Sequence, residues 1–195
     1  PMVQKVINET WQGDLLARSI ADEPHRRLLI DSLTTYVQDN KFAGICVDFE
    51  EPPTESQSNL LKFMQELHTT FAARGWVVAQ AVPFDDPDWN YAAYSGVTDY
   101  LILMSYRQHW TGSDAGPVAA QDWFEQNLGK RLRELNPAKT IVALGNYGYD
   151  WSDANDNVDE VTFQEALIKA KESDATPSFD PTTRNPYFEY DEEDD

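Results

Sequence analysis

Cysteine occurs once, at position 46, so no internal disulfide can staple this chain. Cationic residues are scarce: 15 Lys and Arg stand against 34 Asp and Glu, a formal net charge of −19. Such a surface repels phosphates, which argues against nucleic acid and anionic membrane surfaces as partners but not against a neutral or cationic glycan. No apolar run approaches the ~20 residues of a membrane-spanning helix. There is no glycine-rich phosphate loop and no Gly-x-Ser-x-Gly elbow, which argues against nucleotide and serine-hydrolase chemistry. The three histidines lack the spacing to Cys or Asp that a zinc site needs. His25 and His68 fall on expected helices as surface residues, whereas His109 is a candidate functional residue. Asp85, Asp86 and Asp88 look like part of a calcium loop, but no complete EF-hand loop follows, and Asp86 reads as a helix cap before Pro87.

Aromatic residues are plentiful: 6 Trp, 9 Tyr and 9 Phe exceed what a small core needs, so some are candidates for stacking platforms on a ligand. Strand and helix patterns alternate. Strands are expected at 2–7, 42–49, 76–82, 100–106 and 140–145. Helices are expected from Asp22 to Asn40 (capped by Asp22, with Pro24 in its first turn) and from Thr54 to about Arg74 (opened by a Thr54/Gln57 capping box). A third runs from Gln121 to Leu135, with Phe124, Leu128, Leu132 and Leu135 in register. The strands read as continuous apolar runs, the mark of a parallel sheet covered by helices. A β-then-α order admits a doubly wound sheet or a (β/α)8 barrel.

The strongest local signal is Phe42-Ala-Gly-Ile-Cys-Val-Asp-Phe-Glu50. Alternation along a strand places Asp48 and Glu50 on one side. Two crowded carboxylates do not both ionise easily, and the one that keeps its proton can serve as a general acid. The plainer reading is an ordinary strand end, since Glu51, Pro52 and Pro53 stop the run. Polar and aromatic residues also follow the other strands: Asn8, Glu9 and Trp11; Asp85, Asp86 and Trp89; Tyr106, Arg107, His109 and Trp110; Asn146, Tyr147, Tyr149 and Trp151. In a parallel sheet these meet at one rim, where acids, amides and rings together suit a carbohydrate. Singly, each is more simply a loop or capping residue.

These segments resemble the family 18 glycoside hydrolases. Residues 43–50 resemble its catalytic strand, Asp-x-x-Asp-x-Asp-x-Glu; Tyr100-Leu-Ile-Leu-Met-Ser-Tyr106 resembles its sixth strand and Gly145-Asn-Tyr-Gly-Tyr-Asp-Trp151 its seventh. The likeness is to the bacterial branch with the spore-cortex lytic enzymes, and to the domain fused to a polysaccharide deacetylase and a family 2 glycosyltransferase in envelope proteins. It implies an α/β fold: part of a (β/α)8 TIM barrel, about strands three to seven, over residues 1–151. Part of a small α+β insertion follows at 152–190, and then an acidic tail at 191–195. Five strands of a barrel leave two open sheet edges. Neither terminus reads as a natural domain edge, so the chain is expected to be a segment of a longer polypeptide.

The resemblance further implies substrate-assisted retaining hydrolysis of a β-linked N-acetylglucosamine polymer, without metal or cofactor. Glu50 protonates the glycosidic oxygen, Asp48 orients the acetamide, and Tyr106 hydrogen-bonds its carbonyl. Met104, Arg107, Tyr147, Trp110, Trp151 and Asn8 are the expected substrate contacts. The implied partners are the polysaccharide and fused deacetylase and glycosyltransferase domains, outside the cytoplasm at the cell envelope. Ala43 and Cys46 replace the family's first two aspartates, and Arg107 replaces the Asp that commonly follows the sixth-strand Tyr. These departures motivate two competitors: a non-catalytic glycan-binding module, and a structural domain that merely keeps its acids.

Overall fold

A computed structural model describes residues 1–8, 10–152 and 158–191. The chain falls into two compact units, Pro1–Leu103 with Lys130–Val142, and Met104–Gly129 with Ala143–Asp195.

In the first unit the chain opens with strand β1 (Met2–Gln4) and a small hairpin, β2 (Val6–Ile7) with β3 (Thr10–Trp11). Helices α1 (Gly13–Ser19) and α2 (Glu23–Asp39) lead to β4 (Gly44–Asp48). A 3-10 turn, Thr54–Ser56, opens α3 (Gln57–Ala72), and β5 (Val77–Pro83), α4 (Tyr91–Gly96) and β6 (Tyr100–Met104) follow. Beyond α5 (Gln121–Arg131) comes β7 (Thr140–Ala143). One parallel five-stranded sheet results, in the order β1-β4-β5-β6-β7. The expected partial barrel is therefore present as an α/β sheet. Unlike a closed barrel it has two ends, and near them Met2 and Ile141 are exposed.

One face of β4 and β5 is sealed by helices. Ile45 and Val47 of β4 and Val78 and Val82 of β5 are buried, as are Leu60, Phe63, Met64, Leu67 and Phe71 of α3 and Ile30, Leu33 and Val37 of α2. Those positions recur every three or four residues, the period that turns one helical stripe toward a sheet. Gly44 is required where β4 meets β5, because a Cβ there would stand 2.0 Å from the Val77 carbonyl oxygen.

Three expectations need correction. The α3 capping box does not form: the Thr54 hydroxyl donates instead to Asp88 Oδ2 at 2.8 Å, and α3 begins only at Gln57 without a side-chain cap. The expected register on α5 is only partly the buried one: Leu135 is buried beyond the helix end, Phe124 and Leu128 are half-buried, but Leu132 is exposed while Asn127 and Arg131 are buried. Arg131 lies 3.5 Å over the Tyr91 ring and donates to the Phe84 carbonyl, which lets a flat cation be buried here. Asp86 caps no helix: its Oδ1 accepts from the Asp88 N–H, and Asn90 caps α4. Two short helices, α1 and α4, were not foreseen.

In the second unit, β8 (Gly148–Trp151) pairs antiparallel with β9 (Val158–Val161). Helix α6 (Phe163–Glu172) starts on a capping box between Thr162 and Glu165, and β10 (Ser178–Phe179) pairs with β11 (Pro186–Tyr187). Lys169 Nζ at 2.6 Å and the Tyr190 hydroxyl at 2.7 Å both donate to Asp150 Oδ2. The acidic tail expected at 191–195 lies, apart from Asp191, outside the described residues, as does Glu9. Among the described residues no helix is long and apolar enough to cross a membrane.

Phe63 is fully buried and touches Phe49, at the end of β4, with ring centroids 5.9 Å apart. Phe63→Ala is expected to cost about 3–5 kcal/mol, read by urea unfolding. A loss below about 1 kcal/mol would show that this layer does not hold the strand end.

Candidate active site

In the first unit the chemistry-bearing residues gather at the C-terminal end of β4, the end at which parallel α/β sheets place their sites. Asp48 is the last residue of the strand and is 4% exposed. Phe49 is 3% exposed and packed on Phe63. With Phe49 anchored on the helix side, alternation leaves Asp48 on the opposite side. Glu50 is half-buried and lies just beyond the strand.

The backbone turns sharply after Glu50. Glu51 adopts φ +53°, a left-handed conformation that a non-glycine residue holds only when its surroundings enforce it. One enforcing contact comes from α1, where Gly13 packs so closely that a Cβ would sit 2.3 Å from the Glu51 carbonyl oxygen. The Ser56 hydroxyl donates to the Pro53 carbonyl at 2.7 Å and tightens the same turn.

Neighbours on the sheet complete this end. The parallel register pairs Gln4 of β1 with Asp48, and Gln4 Nε2 donates to Asp48 Oδ2 at 2.7 Å. Cys46, two residues before Asp48 and therefore on the same side, pairs with Ala79 of β5. Its thiol is pushed up, chiefly by burial and then by the Asp48 carboxylate, so it stays protonated at neutral pH. Neutral Cys46 is neither a nucleophile nor a second acid. Asn8 belongs to this unit too, exposed in the β2–β3 turn with φ +49°.

The other expected contacts lie in the second unit. Tyr106, Tyr147, Tyr149 and Trp151 form a row of rings. Tyr106 and Tyr147 are T-shaped at 6.0 Å, Tyr147 and Tyr149 T-shaped at 5.5 Å, and Tyr149 and Trp151 tilted at 5.4 Å. Burial pushes the Tyr147 hydroxyl well above the usual phenol range, with Tyr149 adding to it, so Tyr147 is a neutral donor. Arg107 follows Tyr106 with φ +69° and is exposed. Met104 is buried at the end of β6. Trp110 is half exposed in a turn closed by its N–H on the Ser113 hydroxyl, and His109 Nδ1 lies 2.9 Å from the Asp114 carbonyl oxygen.

The sequence reading missed Gln4 and Gly13, and named Tyr149 only as a rim residue. Gln4 had a faint signal as the one amide in the run Met2-Val3-Gln4-Lys5-Val6-Ile7. The Asp85–Asp88 cluster is engaged in structure: Asp85 pairs with Lys130 at 3.2 Å and Asp88 accepts from Thr54. Among the described residues no group of three or more His, Cys, Asp or Glu is placed to hold a metal ion.

Gly13→Ala tests the close approach on Glu51. The added methyl group must displace backbone, with an expected loss of about 1–3 kcal/mol and a moved 50–52 segment, read by unfolding and by a crystal structure of the variant. Full stability with an unmoved segment would contradict the contact.

Residues 9–195 match the family described as glycosyl hydrolases family 18. The chain is 24% identical over 190 residues to the uncharacterized glycosylase YvbX of Bacillus subtilis, covering 92% of this chain and 55% of that protein. It is 21% identical over 202 residues to the cortical fragment-lytic enzyme of the same organism, covering 97% of this chain and 47% of that protein. The chain thus spans about half the length of these relatives. A solved chitinase from Chromobacterium violaceum superposes with a TM-score of 0.88 at 27% identity, covering 97% of this chain and 62% of that one.

Proposed function

The chain belongs to glycosyl hydrolase family 18, and on that footing we propose that it carries the acid-bearing part of a retaining glycosidase for a β-linked, N-acetylglucosamine-containing polysaccharide. Glu50 is the general acid that protonates the glycosidic oxygen. The substrate's own acetamide oxygen attacks the anomeric carbon, and the bond to the leaving sugar breaks as that proton arrives. Asp48 accepts from the acetamide N–H and stabilises the charged oxazolinium that forms. Water then opens this ring, with Glu50 taking the water's proton. Tyr106 donates to the acetamide carbonyl. Met104, Arg107, Trp110, Tyr147, Trp151 and Asn8 are assigned to sugar contacts by their places in the family pattern.

The observation that carries this reading is the end of β4. Asp48 is buried at the strand end, Phe49 after it is packed on Phe63, and the half-buried Glu50 follows directly. An acid destined only to cap a strand end gains nothing from being buried beside a second acid. The row of four rings at Tyr106, Tyr147, Tyr149 and Trp151 supplies flat apolar faces of the kind sugars stack on. We further assign residues 1–151 to the barrel segment and 152–190 to part of an insertion, and place the protein outside the cytoplasm, acting on envelope polysaccharide. Fused deacetylase and glycosyltransferase domains remain part of the same proposal.

A glycan-binding module is the second reading, favoured by one observation. Where the family pattern has an acid beside Asp48, this chain has Cys46, whose thiol is held protonated. Glu50→Gln separates the two. It preserves shape and removes the acid, so turnover of N-acetylglucosamine oligomers is expected to fall at least about 100-fold with unfolding stability unchanged. Unchanged turnover would remove Glu50 from the chemistry. Binding without product in the unaltered protein, by calorimetry beside a reducing-end assay, would favour the module.

A further inference from the structure

The acid at the end of β4 is held from a neighbouring strand. β1 and β4 run parallel with Gln4 opposite Asp48, so both side chains leave the sheet on one side. Gln4 Nε2 donates to Asp48 Oδ2 at 2.7 Å. Asp48 is 4% exposed, and a carboxylate removed from water depends on the donors that remain to it. Two residues earlier on the same side stands Cys46, whose S–H is a weak donor. A primary amide differs from a second acid in a useful way: it donates at every pH and has no proton to surrender.

We propose that Gln4 is a positioning residue of the sugar site, its side-chain amide fixing the plane of the Asp48 carboxylate through Oδ2. This rests on the glycosidase reading above and adds to it. The Gln4 amide is neutral at every pH, so this donor orients Asp48 Oδ2 before any substrate arrives. Preorganisation of this kind acts on the transition state, because the acetamide N–H becomes a stronger donor as the oxazolinium charge develops. Removing it therefore lowers kcat more than it raises KM.

The test compares the protein with Gln4→Met, which keeps length and bulk but has no donor, and with Gln4→Glu, which puts an acceptor where the donor was. Turnover of N-acetylglucosamine oligomers and the ¹³C resonance of the Asp48 carboxyl are read together. Gln4→Met is expected to lower kcat about tenfold with KM changed less than about twofold, and Gln4→Glu to lower kcat further. The Asp48 carboxyl resonance is expected to move in both, while resonances of core residues such as Leu67 stay in place. A Gln4→Met protein with unaltered kcat, or an unmoved Asp48 resonance, overturns the role of Gln4 and leaves the glycosidase reading standing. No turnover by the unaltered protein at any pH overturns the glycosidase reading, and the catalytic role of Gln4 with it.

Discussion

The burial of Phe49 against Phe63 is the contact on which the rest of the site depends. A strand can offer its odd or its even residues to one side, and a slip of one exchanges them all. Phe49 settles the choice, because exposing a phenylalanine costs about 2–3 kcal/mol of transfer free energy. With that ring held against α3, Asp48 is committed to the side away from the helices. Its placement therefore follows from the apolar residue beside it.

A second constraint acts on the backbone just beyond. Glu51 takes a left-handed conformation, and Gly13 of α1 approaches its carbonyl more closely than any side chain permits. The strand is thus stopped by a turn braced from a segment nearly forty residues earlier. Arg107, the residue after Tyr106, is left-handed as well. Strained residues that follow chemistry-bearing ones are a recurrent feature of sites whose side chains must point in one direction.

Much of this was legible from local pattern. Asp22 caps α2, and Leu60, Met64, Leu67 and Phe71 form the buried stripe of α3, because both depend on residues three or four apart. Asp48 and Glu50 were singled out from alternation at a strand end, and the burial of Asp48 there is observed. What escaped was decided by partners distant in sequence. Thr54 looked like half of a capping box, but its hydroxyl is taken by Asp88, 34 residues away. Arg131 reads as a surface residue until Tyr91 and the Phe84 carbonyl are seen around it. Gln4 carried no visible role because its partner lies 44 residues on and meets it only through the β1–β4 ladder. Tyr149 and Trp151 were read as rim side chains, but they also belong to a strand, Gly148–Trp151, paired with Val158–Val161.

The stereochemistry of the first product tests the central claim most directly. If the substrate's acetamide attacks while Glu50 supplies the proton, each cleavage of a β-linked N-acetylglucosamine oligomer first releases the β-anomer, seen by proton NMR before mutarotation. Initial release of the α-anomer would mean direct attack by water and would contradict the roles given to Asp48 and Glu50.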